Sequence, residues 1–377
     1  MPLKAHYRLF IPLSIANERT RTTAVPLSET LLRGIVAQRL AESHGEARPK
    51  SAIEFLPTMI RRLRLSLALF LLALTPVSVH AWGCEGHQIV ALIAMKHLQP
   101  QVASQINAIL AASPVASTLR HFCRTSGLPP MVEVASWADD VRSEQPDTGP
   151  LHYINIPLSA TRDKYDINEA CKQGCIVDAI TKYTQQLKTS GDPKARADAL
   201  RFLIHFLGDI HQPLHDETNG DEGGNCVPVE FEGEQPRVTN AQKEEYFPNL
   251  HSVWDTGIPQ SMLASHDMTV EEFADFLDFR FRPRLQRWNS GQAADWAWEG
   301  HDLAFSAYRS LPANLPRDLN QQATSCADNN HLAKRLGDLQ IVLGERYDNV
   351  SHPIVEEQLT KAGIRLAALL NAVLGKS

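Results

Sequence analysis

The chain runs to 377 residues, of which 43% are hydrophobic, 21% charged and 7% aromatic, with a formal net charge of −6. That is an ordinary globular balance, able to bury a substantial core. It excludes a disordered chain and a body embedded in membrane.

The first organised stretch, residues 59–81, reads as a secretory signal peptide. Met59 stands before Arg61, Arg62 and Arg64, an apolar run follows from Leu65 to Leu74, and small residues at Val79 and Ala81 place a cleavage before Trp82. The apolar run, about ten residues, is too short to span a bilayer. Residues 1–58 then lie upstream of the expected start, either as a mis-assigned start or as a disordered extension, and residues 82–377 form the working domain. Trimming removes 11 Lys and Arg against 5 Asp and Glu, a net +6, and leaves a formal charge of −12. Duplex wrapping, which neutralises many phosphates with Lys and Arg, is excluded by that charge. Any phosphate recognition has to be local.

After Trp82 the apolar spacing follows a helical period in eight segments: His87–Leu98, Gln101–Ala112, Ile176–Leu187, Ala195–Asp209, Val270–Arg287, Ala294–Ser310, Asn330–Tyr347 and Ile354–Leu374. Pro100 and the pair Asp192-Pro193 punctuate them as helix boundaries do. The expected fold is a single mainly α domain, a multi-helix bundle with long loops. Between His211 and Trp254 the residues Pro213, Gly220, Gly223, Gly224 and Pro228 break any helix. At most a short β-hairpin is expected there, pairing Val227–Phe231 with Arg237–Thr239. All six cysteines, Cys84, Cys123, Cys171, Cys175, Cys226 and Cys326, follow Trp82. In an exported chain they read as up to three disulfides of undetermined pairing, in preference to a Cys171–Cys175 metal pair. The expected location is periplasmic or secreted.

Chemistry concentrates in the helix that contains Leu203-Ile204-His205-Phe206-Leu207-Gly208-Asp209. His205 and Asp209 are four positions apart, so both side chains project from one face. An isolated pair of this kind is as readily a buried His–Asp contact as a metal corner. Here His215 follows, and His251 and Asp255 repeat the four-residue spacing, while Asp139 and His152 precede. These donors exceed the needs of one ion. Imidazole and carboxylate without a thiolate-rich pair suit several catalytic zinc ions with open positions.

These motifs resemble the zinc-dependent single-strand-specific nuclease family of the S1/P1 type. The matching residues are Trp82-Gly83-Cys84-Glu85-Gly86-His87, Trp137-Ala138-Asp139-Asp140-Val141-Arg142, His152-Tyr153-Ile154-Asn155, His205 through Asp209, Gln212-Pro213-Leu214-His215, Gly223-Gly224-Asn225 and Asn249-Leu250-His251 through Asp255. They occur in the family's order from Trp82 to Asp255, and the C-terminal third adds only compatible helices. The resemblance implies the phospholipase C and single-strand nuclease type of helical bundle and three Zn2+. Asp139, His152, His205 and Asp209 would bind one zinc. The α-amine and carbonyl oxygen of Trp82, with His87 and Asp209, would bind a second, so that Asp209 bridges. His215, His251 and Asp255 would hold the third.

The same resemblance implies a monomeric endonuclease that hydrolyses single-stranded DNA and RNA to 5′-phosphate products and acts on 3′-nucleotides, with no stable protein partner. Asp139 and Asp209 are then catalytic, and Arg142, three residues after Asp139, reaches a phosphate beside the metals. Tyr153 stacks a nucleobase. Asn155 stands where fungal members carry an Asp that contacts the base, and Asn225 completes the substrate residues. The competing reading is a zinc phospholipase C, against which stand the short Trp82 to His87 interval and Asp255 in place of Glu. A purely structural zinc protein would need saturated coordination. Trp137 and Trp254 read as core aromatics and His211 as a residue outside the ligand set. His97, His121, His266, His301, His331 and His352 read as structural or exposed.

Overall fold

The structure is a computed structural model, described over residues 82–125, 127–309, 311 and 325–375. The expectations for residues 1–81 fall outside these residues.

Helix α1, Cys84–His97, starts immediately after Trp82 and buries Ile89, Val90, Ile93 and Ala94. Pro100 at the first turn opens α2, Pro100–Ala112. A short helix α3, Trp137–Val141, is buried along its whole length. Helix α4, Ile176–Thr189, shows one apolar face, with Ile176, Ala179, Ile180, Tyr183 and Leu187 turned inward. The expected boundary at Asp192 holds: its carboxylate accepts from the Ala195 amide and Pro193 sits at the first turn of α5, Pro193–Asp209. From Ala199 to Asp209 every residue of α5 is buried, so this helix is the axis of the bundle. It packs against α4, and the long C-terminal helix α11, Glu345–Leu374, packs on both α1 and α5.

The apolar periodicity marks these helices well because each needs only its own face to be apolar. Tertiary pairing and proline produce the departures. Val229–Phe231 (β1) does not pair with the following strand; it lies parallel to Ile341–Leu343 (β4), in register from Val229 and Ile341 to Phe231 and Leu343. The hairpin that does form joins Arg237–Asn240 (β2) to Glu245–Phe247 (β3). The expected pairing of Val227–Phe231 with Arg237–Thr239 is therefore corrected, and two small sheets replace one hairpin. The segment read as a helix from Asn330 to Tyr347 splits for the same reason: a short helix α10, Leu332–Gly337, gives way to β4, whose Ile341 and Leu343 bury against β1.

The helix expected over Val270–Arg287 is interrupted. It ends at Phe281, as α7, Val270–Phe281, and resumes briefly as α8, Leu285–Trp288. Pro283 lies in the break, where its missing backbone N–H cannot continue the hydrogen-bond ladder. In contrast, α11 runs through Pro353 and begins nine residues before the expected Ile354. Pro353 is on the exposed side of that helix, where water can serve the backbone acceptor it leaves behind. Between β3 and α6, Ile258–His266, the chain forms one helical turn, Leu250–Ser252, followed by a π-helical turn, Val253–Gly257. Helix α7 opens with a Thr269–Glu272 capping box, and α9, Ala293–Arg309, carries Glu299 and Tyr308 inward.

Three disulfides, Cys84–Cys123, Cys171–Cys175 and Cys226–Cys326, staple the loops to this bundle. The disulfide reading of the six cysteines holds, and Cys171 with Cys175 is not a metal pair. Trp137 and Trp254 are core residues: Trp137 packs edge-on to Phe202, and the Trp254 indole N–H donates to the Tyr347 hydroxyl at 2.6 Å. Among the described residues no helix is long and apolar enough to cross a membrane.

A part-buried ion network ties α9 to α11. Glu299 accepts from Arg365 at 2.7 Å and from Lys361, and Arg365 also reaches His211 Nε2 at 2.7 Å. Burial alone would raise the Glu299 carboxyl, but Arg365 and Lys361 outweigh it and hold the group down to about 2. A depressed carboxyl contributes stability that is present above its unfolded value near 4.5 and is lost as pH falls toward 2. Glu299→Gln is therefore expected to flatten the pH dependence of urea midpoints between about pH 4.5 and 2. A slope identical to wild type across that window would refute the role.

Candidate metal centre

Four elements converge on one buried cluster. Helix α5 supplies His205 and Asp209 from one face, α1 supplies His87, α3 supplies Asp139, and the end of a short 3-10 helix, Pro146–His152, supplies His152. His87 and His205 stack with ring centroids 3.9 Å apart. Asp209 Oδ2 lies 3.0 Å from His152 Nδ1 and 3.2 Å from His205 Nε2, while its Oδ1 lies 3.3 Å from His87 Nε2. Asp139 Oδ2 is 3.5 Å from His205 Nε2 and its Oδ1 is 3.7 Å from His152 Nδ1. Two overlapping sets of donors emerge, His87 with Asp139 and His205, and His152 with His205 and Asp209.

A third set, His215, His251 and Asp255, stands on the loop between α5 and α6. Gln212 caps the turn Pro213–His215. Asn249 and Ser252 form a reciprocal capping box that starts the turn carrying His251, and the π-helical turn that follows places Asp255 against it. His251 Nε2 lies 3.2 Å from Asp255 Oδ2 and 3.2 Å from His215 Nε2.

Ring orientation decides what these groups can do. His205 Nδ1 donates to the Ala135 carbonyl at 2.8 Å, His215 Nδ1 to the His152 carbonyl at 2.8 Å and His251 Nδ1 to the Gly223 carbonyl at 2.7 Å. Each bond selects the tautomer whose Nε2 carries a lone pair. The Nε2 atoms of His215 and His251 lie 3.2 Å apart, close enough to share a proton or to face one cation. His87 Nδ1 and Nε2, His205 Nε2, Asp209 Oδ1 and Asp255 Oδ2 are all buried without a hydrogen-bond partner. Orphaned buried polar atoms are costly. Nitrogen and carboxylate donors grouped this way fit a borderline divalent cation.

Electrostatics point the same way. Burial pushes the His152 imidazole down to about 4, and burial with the neighbouring His205 lowers His87, so both favour the neutral form that binds metal. Burial also works against a charge on His205, but Asp209 and Asp139 outweigh it and raise this ring to about 9. Burial would raise Asp209, yet His205, His152 and His87 hold its carboxyl well below the usual range. Asp139 and Asp209 thus favour positive charge at this ring, a place that a bound divalent cation would fill in the proton's stead.

Trp82 closes the site on one side. Its buried indole donates to the Gly208 carbonyl at 2.8 Å, and the Gly83 amide donates to the Asp255 carbonyl at 2.6 Å. Those two bonds hold the Trp82 backbone between the α5 and Asp255 donors. Gly208 is needed at its place in α5, because a Cβ there would lie 2.7 Å from His87 Nδ1.

The expected substrate residues lie at the rim. Arg142 is 3.5 Å from Asp139 and part-exposed. Tyr153 is 39% exposed, and Asn155 is exposed beside it. Asn225 is partly buried, with its Nδ2 donating to the Glu222 carbonyl at 2.8 Å. His211 lies outside the cluster but is buried, its Nδ1 on the Leu207 carbonyl and its Nε2 on Arg365. Sequence reasoning assigned no role to Gln212, whose Nε2 donates to Asp255 Oδ1 at 2.6 Å, or to Asp140, whose carboxylate accepts from the Phe122 amide at 2.9 Å. Both sit inside quoted motifs, and their polarity at buried positions was the available signal.

The chain matches a family model described as S1/P1 Nuclease over residues 82–375. It is 32% identical over 305 residues to Nuclease PA3 of a Penicillium species, covering 78% of this chain and 98% of that protein. To Nuclease S1 of Aspergillus oryzae it is 32% identical over 329 residues, 84% of this chain and 98% of that protein. Endonuclease 2 of Arabidopsis thaliana is 28% identical over 321 residues, with 79% and 92% covered.

Proposed function

The chain belongs to the S1/P1 nuclease family and is a phosphodiester hydrolase; on that footing we propose that it is a zinc-dependent endonuclease of single-stranded DNA and RNA that also acts on 3′-nucleotides. The observation that carries this reading is the convergence of three His and Asp donor sets whose ring lone pairs are aimed inward by backbone carbonyls.

Asp139, His152, His205 and Asp209 would hold one zinc. His87 and Asp209, with the amine and carbonyl of a Trp82 freed by export processing, would hold a second, and His215, His251 and Asp255 a third. Zinc ions bound there supply Lewis acidity toward phosphoryl oxygens and bring the pKa of water to around 7. Asp139 and Asp209 orient the attacking water toward phosphorus, opposite the departing 3′-oxygen, so that the 5′-phosphate stays on the product. Gln212 fixes the Asp255 carboxylate by its 2.6 Å bond. Arg142 binds a phosphate oxygen at the rim, where its guanidinium is reachable from solvent.

Single strands are selected because an unstacked base lies on the exposed Tyr153 ring beside Asn155 and Asn225, whereas extracting a base from a duplex costs a few kcal/mol. The three disulfides favour an oxidising compartment, in keeping with a secreted or periplasmic protein working as a monomer.

The test is one substrate panel. Protein beginning at Trp82 is incubated with single-stranded DNA, RNA, 3′-AMP and phosphatidylcholine, with and without chelator. Chelator-sensitive release of 5′-phosphate nucleotides, and of phosphate from 3′-AMP, is expected. Phosphocholine without nucleotide products would replace this reading with a phospholipase C.

A further inference from the structure

Residues 113–132 contain no Asp or Glu, yet they carry Arg120 and Arg124 on a chain whose overall charge is negative. Within this stretch Leu119 and Thr125 are buried and act as anchors. Between them Arg120, His121, Phe122 and Arg124 are exposed, with Phe122 at 37% and the Arg120 guanidinium 5.7 Å from its ring centroid.

Three ties fix this strip, and each lands within two residues of a proposed metal ligand. Cys123 is bonded to Cys84, two residues after Trp82. The Arg124 carbonyl accepts from Gln88, next to His87, at 3.4 Å. Asp140, next to Asp139, accepts from the Phe122 amide at 2.9 Å and from His121 at 2.8 Å. Consecutive Cα atoms are about 3.8 Å apart, so the strip stands on the border of the metal centre, pinned to α1 and α3, two of the elements that supply donors to it.

We propose that Arg120, Phe122 and Arg124 form a second binding lip for single-stranded nucleic acid, gripping nucleotides that flank the one undergoing hydrolysis. The two guanidiniums meet backbone phosphates, and the Phe122 ring meets a base. Phosphate neutralisation with aromatic stacking is the pairing that holds single strands without reading their sequence. This lip also gives a net-acidic chain a local patch of positive charge for a polyanion, beside the chemistry. His121 is committed to Asp140 and serves to hold the strip in place.

The proposal rests on the nuclease reading of the centre. It is tested with metal-loaded protein by comparing kcat/KM for an oligothymidylate with that for 3′-AMP, a substrate too short to reach the lip. Phe122→Ala and Phe122→Leu should each lower the oligonucleotide to 3′-AMP ratio on the order of tenfold, through KM, and Phe122→Tyr should restore it. Arg120→Ala with Arg124→Ala should reduce the slope of log KM against log salt by about 0.7 for each phosphate no longer neutralised. A structural defect would depress both substrates together and leave the ratio alone. If the ratio and the salt slope match wild type in the alanine variants, the lip is wrong and the nuclease reading stands. If wild type releases no nucleotides from the oligonucleotide while binding it, the nuclease reading falls; a Phe122-dependent binding constant in that experiment would still support the lip.

Discussion

Asp209→Ala is expected to lower kcat/KM on single-stranded DNA by more than about 10³-fold, at least the scale of losing a group that fixes developing charge. The two Asp209 carboxylate oxygens reach His87, His152 and His205 at 3.0 to 3.3 Å, and the residue is fully buried. Losing it strands three rings that its charge organises and, on the proposed assignment, would remove a ligand to two of the cations. Asp209→Asn keeps the shape and most of the packing but supplies an amide in place of a charged donor, so its activity should fall almost as far. His205→Ala should be comparably damaged, because His205 belongs to both overlapping donor sets. Steady-state kinetics on protein shown to be folded by circular dichroism decides this, and retained turnover in either alanine variant would remove those residues from the ligand set.

Chelation is expected to produce the largest stability change. Without cations the centre buries His87, His205, Asp209 and Asp255 with unmet hydrogen-bonding atoms at the heart of the bundle. Each ion present at roughly a thousand times its dissociation constant stabilises the fold by about 4 kcal/mol. For a domain of this size a kcal/mol corresponds to about 2 °C or somewhat less. Removing three ions should therefore lower Tm by roughly 20 °C, and adding zinc back should restore it. A chelated protein that melts within about a degree of the loaded one would mean that these donors do not bind metal tightly.

The donors were legible in the sequence because helical spacing turns a pattern into a direction. His205 and Asp209 share a face of α5, and His251 and Asp255 repeat the interval across a turn that becomes π-helical. Their convergence on each other is tertiary, and only the resemblance of the ordered motifs implied it. What the sequence hid has physical causes. The partner of Val229–Phe231 lies more than a hundred residues away at Ile341–Leu343, so local alternation suggested the nearer strand. Pro353 sits inside α11 because its side of that helix faces solvent. The carbonyls of Ala135, His152 and Gly223, which orient three imidazoles, leave no trace in residue type at all. His211 looked peripheral by spacing, yet it is buried between the Leu207 carbonyl and Arg365 because α11 passes behind α5.

The central claim is that three cations assemble around these side chains and a freed Trp82 amine. It is tested most directly by counting zinc per molecule, after exhaustive dialysis, in protein that begins at Trp82 and in protein with residues retained ahead of it. Three per molecule in the first and two in the second is the predicted result, since an amide nitrogen cannot replace an amine as a donor. Equal content in both, or fewer than three in the first, would contradict it.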